Sequence, residues 1–201
     1  MKRSPAIAGV LTALTVLCVA TTATAQRGSA AMREKRRAYN EQFVNKPAPP
    51  FALADLSGGT ARLEDFRGKV IILNFWFSTC GPCRQETPAL MRLYDVYRDQ
   101  GLMVIGINLD EILIPQHEGA LMGKFLKTFG VNYPILVADR KVFDAYGGVP
   151  VQPTTFLIDR DLTVDRIYWG AFPGSAFDRS VRPLLAGEAQ LPKAAGAPSR
   201  P

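Results

Sequence analysis

The chain has 201 residues, 47% of them hydrophobic and 21% charged, with a formal net charge of +6. That is enough apolar material for one domain with a real core. Much of the positive excess lies in Arg27, Arg33, Lys35, Arg36 and Arg37 against Glu34, with no aromatic residue between them, so it reads as a solvated spacer rather than a nucleic-acid or membrane patch.

Lys2-Arg3 precedes an apolar stretch from Ala6 to Ala20, and Ala23-Thr24-Ala25 stands before Gln26. A positive start, an apolar run and a small-x-small triplet make residues 1–25 a secretory signal, with an uncleaved N-terminal anchor as the alternative. The run falls short of the roughly 20 apolar residues of a full span. Leu17 is bulky where a lipid-attachment signal needs a small residue before Cys18, which argues against lipidation. Export changes the cysteine arithmetic. Removing residues 1–25 takes Lys2, Arg3 and Cys18, lowers the charge by two to +4, and leaves Cys80 and Cys83. Two cysteines in one tight motif leave none for a structural framework. A bridge between them would constrain the unfolded chain little, because its loop is so short.

Residues 26–46 form the basic spacer, and Pro47-Ala48-Pro49-Pro50 opens the folded part, which runs to 186. Residues 51–56 and 60–63 flank Ser57-Gly58-Gly59 as a hairpin. Val70 to Phe77 reads as a buried strand and Arg84 to Gln100 as a helix. Leu102 to Asn108 is a second apolar strand. A helix from Ala120 to Phe129 ends at Gly130, with Lys124 and Lys127 on its solvated face. Tyr133 to Ala138 is a short strand and Val142 to Tyr146 a short helix. Residues 154–159 and 163–169 form an alternating pair of strands, and Phe177 to Leu185 is the closing helix. From Gly187 to Pro201 the composition is that of a disordered tail. This order implies an α/β fold: a central mixed sheet flanked by helices, its first two long strands parallel, with an extra N-terminal β-hairpin at one edge.

Cys80-Gly81-Pro82-Cys83 falls where the first long strand hands over to its helix. There, free backbone N–H groups and the helix dipole favour a thiolate, the form that attacks a disulfide. Cys80 is the expected nucleophile, accessible to a partner. Cys83, one turn further in and more buried, resolves the mixed disulfide. By strand alternation Phe75 belongs to the core and Trp76 is partly exposed, a candidate substrate contact. His117 is far from the motif in sequence, and one histidine with two such cysteines makes no zinc site; neither metal nor other cofactor is expected.

With Trp76-Phe77-Ser78-Thr79-Cys80-Gly81-Pro82-Cys83 in view, the chain resembles the thioredoxin superfamily, and within it the exported TlpA/ResA-like thiol–disulfide oxidoreductases. Pro88 matches the proline of the thioredoxin helix. Gln152-Pro153-Thr154-Thr155-Phe156-Leu157-Ile158-Asp159 is similar to the segment that carries the superfamily's cis-proline. Glu86 matches the acidic residue of the TlpA/ResA helix signature. The resemblance implies a thioredoxin-like fold over roughly Pro47 to Ala186. It assigns Cys80 and Cys83 the exchange chemistry, and Gly81, Pro82, Gln152, Pro153 and Thr154 to the substrate surface. Thioredoxin has a buried Asp in the strand where this chain has Asn74. An amide cannot titrate, which leaves Glu86, at i+3 from Cys83, as the internal base. The Gly-Pro pair is also thioredoxin's, a reducing protein at ~ −270 mV. The implied function is reduction of protein disulfides outside the cytoplasm, with a membrane-embedded thiol donor and targets such as apocytochrome c or a copper-site assembly factor. Alternatives are a thiol peroxidase, which needs Thr where Phe77 stands, and a copper chaperone of the Sco type, which needs wider cysteine spacing and a downstream His.

Overall fold

A computed structural model describes residues 30–117 and 119–187. The expected leader at 1–25 and the tail beyond Gly187 lie outside the described residues. The chain forms two compact units that divide between Gln42 and Phe43. In the first, the basic segment from residue 30 onward is helical, as α1 (30–43, its last residue counted in the second unit). Arg37 and Glu41, one helical turn apart, pair at 2.8 Å on its exposed face. Composition alone presented this stretch as a spacer; its alanines, glutamates and arginines are also good helix formers.

The second unit is built on one seven-stranded sheet in the order β2-β1-β5-β4-β3-β6-β7. Its strands are β1 (Ala52–Asp55), β2 (Thr60–Arg62), β3 (Val70–Trp76), β4 (Leu102–Asn108), β5 (Ile135–Val137), β6 (Thr154–Ile158) and β7 (Val164–Trp169). β3, β4 and β5 are mutually parallel neighbours, whereas β6 and β7 run antiparallel beside β3. β1 and β2 pair antiparallel at the opposite edge. The helices are α2 (Gly81–Tyr97), a short α3 (Asp110–Leu113), α4 (Ala120–Phe129), α5 (Arg140–Ala145) and α6 (Gly174–Leu185). Among the described residues no helix is long and apolar enough to cross a membrane.

The starts of α2, α5 and α6 lie earlier than periodicity predicts, whereas α4 starts at Ala120 as expected. α2 begins at Gly81 because Cys80 caps it and Pro82 occupies its first turn, where a missing N–H costs nothing. α5 begins at Arg140 because the Asp139 carboxylate accepts the Val142 N–H at 2.7 Å. The far end of α4 is where glycine was expected: Gly130 takes φ +63 and returns its N–H to Leu126 O.

Every residue of β3 is buried, because this strand is central and covered on both faces. On one face Val70, Ile72 and Trp76 meet Leu90 and Leu93 of α2, Phe125 of α4, and Phe177 and Val181 of α6. Alternation sends Leu73 and Phe75 to the other face. There Phe156 packs against Phe43, Phe75 and Tyr146 with ring centroids 5.5, 5.8 and 5.0 Å away. Asn74 belongs to the α2 face, a polar side chain in an apolar layer.

Candidate active site

The two cysteines are joined: Cys80 and Cys83 form a disulfide with their Cα atoms 5.3 Å apart. Cys80 occupies the cap position of α2, and its Sγ accepts the Cys83 backbone N–H at 3.1 Å. That contact and the helix N-terminus favour negative charge on this sulfur once the bond opens. Both residues are shielded, Cys80 at 4% and Cys83 at 2% exposure. The expected accessibility of Cys80 is thus corrected for the disulfide form: the pair belongs to the buried apolar cluster, and Gly81 and Pro82 are the exposed part of the motif.

Glu86 is the functional residue that the fold treats most unusually. It is 2% exposed, one turn along α2 from Cys83. Its Oε2 accepts from Asn74 Nδ2 at 2.9 Å and its Oε1 from the Phe172 N–H at 2.9 Å. Burial pushes its carboxyl up to about 7, outweighing these hydrogen bonds, which pull the other way. Asn74 Nδ2 also donates to Thr155 Oγ1 at 2.8 Å, so strand β3, helix α2 and strand β6 are tied by one amide. The position occupied by a titrating Asp in thioredoxin here supplies a fixed donor.

Gln152–Pro153 is a cis peptide. β6 follows at once, and its pairing of Thr154 with Phe75 brings Pro153 to the end of the sheet where β3 enters the cysteine loop. Pro153 is buried and Gln152 half-buried. The Gln152 amide is spent on its own loop, donating to Val149 O at 2.5 Å, and Thr154 Oγ1 donates to Val151 O. Thr154 is fully buried.

Trp76 departs from its expected partial exposure: it is 3% exposed. Alternation exposes one side of an edge strand, but β3 has strands on both sides and helices over the Trp76 face. Its indole packs on Phe125 at 4.4 Å. Three features escaped sequence reasoning. Phe172 donates to Glu86 through its backbone, Thr155 joins the Asn74 network, and Asp110 accepts both the backbone N–H and the hydroxyl of Ser78. The last of these clasps the loop entering Cys80. No local pattern announces pairings separated by 32 to 86 residues.

The reaction open to this end of the sheet is transfer of two electrons between a dithiol and a disulfide through sulfur exchange. The chain is a thiol–disulfide oxidoreductase of the thioredoxin type. Comparison with known proteins agrees. The model of the AhpC/TSA family matches residues 44–167. The thiol-disulfide oxidoreductase ResA of Geobacillus thermodenitrificans is 41% identical over 129 residues, covering 63% of this chain and 70% of that protein. ResA of Bacillus subtilis is 34% identical over 158 residues, covering 75% and 84%. A crystal structure from Chlorobium tepidum, assigned as a thiol:disulfide interchange protein DsbE, superposes with a TM-score of 0.63 at 32% identity, covering 71% of this chain and 97% of that one. The chain belongs to the AhpC/TSA family and, within the thioredoxin fold, to its ResA-like thiol–disulfide oxidoreductases.

Proposed function

We propose that this protein reduces protein disulfides outside the cytoplasm, with Cys80 as nucleophile, Cys83 as resolving thiol and Glu86 as internal base. The observation that carries the reading is the Cys80–Cys83 disulfide capping α2, with the Cys83 N–H on Cys80 Sγ. In the reduced protein the Cys80 thiolate attacks one sulfur of the partner's disulfide, and the other partner sulfur leaves as a thiolate that takes a proton. Cys83 then gives its proton to the Glu86 carboxylate and attacks Cys80 Sγ. The Cys80–Cys83 bond forms and the second partner sulfur is released, so the partner gains two electrons and two protons. A buried carboxyl near neutrality suits that role, because it can both accept and return a proton at working pH.

Gly81, Pro82 and the half-buried Gln152 offer the surface an extended partner would cover, and the buried Pro153, Trp76 and Thr154 support it from below. A membrane-embedded thiol protein would restore the dithiol. Residues 1–25 direct export, either by cleavage or as a retained anchor. Apocytochrome c and copper-site assembly factors fit as targets, since both must hold cysteines reduced before receiving their cargo.

Trapping tests the reading. Cys83→Ser leaves the attacking sulfur and removes the resolving one, so the variant should stall as a covalent conjugate through Cys80. Mass spectrometry of that conjugate should identify a protein carrying a cysteine pair. Recovery of small-molecule adducts alone would argue against a protein target.

A further inference from the structure

Between the residues that flank the cysteine motif and α4 lies a cavity of about 240 Å³ lined by Ser78, Thr79, Arg84, Leu121, Lys124, Phe125 and Thr128. Ser78 and Thr79 run directly into Cys80, and Arg84 hangs one turn beyond it, its N–H on Cys80 O at 3.2 Å. The cavity is therefore lined by residues that flank the cysteine motif on both sides, and not by the cysteines themselves. Its wall is stiff, because buried Asp110 holds Ser78 by two hydrogen bonds.

Two cationic residues line this space, and among the described residues no acidic one does. Among the described residues neither Arg84 nor Lys124 enters an ion pair. The Arg84 guanidinium sits over the rings of Phe125 and Phe129, 5.7 and 5.1 Å from their centroids. This stacking holds the side chain in place, so little rotamer freedom remains to be lost when an anion arrives. Neighbouring like charges repel, and a carboxylate between them relieves that repulsion. Periodicity reads Lys124 as part of a solvated face; in the fold it lines the same concavity as Arg84.

We propose that this cavity is a carboxylate-binding subsite, selecting disulfide-bearing partners that carry an acidic side chain within a few residues of the attacked cysteine. It rests on the reading of the protein as a protein-disulfide reductase and adds the chemistry of the partner. An acid docked here steers the encounter and sets the register of the extended segment against Cys80, and salt screens that gain.

The test uses disulfide peptides identical except for Glu, Gln or Lys two residues from one cysteine, with the reduced full chain. At low ionic strength the Glu peptide should be reduced about fivefold faster than the Gln peptide, the scale of one partly exposed ion pair. The Lys peptide should be slower than both. The preference should vanish near 1 M salt and in Lys124→Glu, while that variant keeps the circular dichroism of the parent. Equal rates for Glu and Gln peptides, or a preference that survives Lys124→Glu, would overturn the subsite and leave the reductase reading standing. A Glu peptide with serines for cysteines separates the two ideas. It should shift the amide resonances of Ser78, Thr79 and Thr128 saturably, and Lys124→Glu should abolish this. Failure to reduce any peptide would count against the reductase reading alone, because binding of the serine peptide still decides the subsite.

Discussion

Glu86 shows how one residue can carry both a cost and a function. Its carboxyl titrates near 7 in the fold against an ordinary value of 4.5, so between those limits the folded chain holds a proton that the unfolded chain has lost. Folding stability therefore falls as pH rises through that window, by about 3 kcal/mol in total, and is restored on acidification. Denaturant unfolding of the disulfide form at pH 5 and pH 8 should reveal the difference, and Glu86→Gln should remove most of it. The same substitution should slow disulfide reduction and erase the rise in rate as pH passes 7; a pH–rate profile unaltered by Glu86→Gln would exclude the base role. The candidate base was legible because i+3 spacing puts residue 86 on the Cys83 face of α2. Its hydrogen-bond network was not: Asn74 and the Phe172 N–H, which donate to it, and Thr155, which accepts from Asn74, come from three separate segments. Trp76 illustrates the reverse error. Alternation reports which face a side chain takes, and only the neighbours of β3 decide whether that face is wet.

Among the elements, β4 meets its neighbours most closely at Gly106. A Cβ there would lie 2.6 Å from Ile135 Cδ1, 3.0 Å from Trp76 Nε1 and 3.3 Å from Tyr133 Cε2. Ile135 can swing its terminal methyl aside, but Trp76 is pinned against Phe125 and Tyr133 is buried. Gly106→Ala should therefore destabilise by about 1–3 kcal/mol, the usual cost of overpacking. A lower denaturant midpoint with an unchanged slope would register it; an unchanged midpoint would mean that the layer between β4 and α4 is loose. In sequence this glycine sits unremarked in an apolar strand. Element type was legible where apolar runs are long, as in β3 and β4. Helix starts were less so, because Cys80 and Asp139 act as caps in positions that periodicity does not mark.

At the scale of the folded unit, the sheet separates chemistry from support. The sulfur pair, Asn74 and Glu86 lie on the α2 side, whereas Phe43, Phe75, Tyr146 and Phe156 form an aromatic cluster on the other. Phe156→Ala should cost about 3–5 kcal/mol by opening a cavity in that cluster. Below its lowered transition the variant should still reduce insulin disulfides at the parent rate, measured by turbidity; a proportional loss of rate would show that the two faces are coupled. The sequence by itself determined what is local: the Cys-x-x-Cys motif at a strand-to-helix junction, the proline that precedes β6, and the order of the strands with helices α2, α4, α5 and α6. Those features depend on residue type and spacing along the chain, and the chain carries both. The tertiary structure alone decided how deeply Glu86 is buried, what it bonds, that Trp76 is covered, and that Arg84 and Lys124 share one cavity. Burial and charge convergence arise between segments far apart in the chain, and come into being only when the sheet brings those segments together.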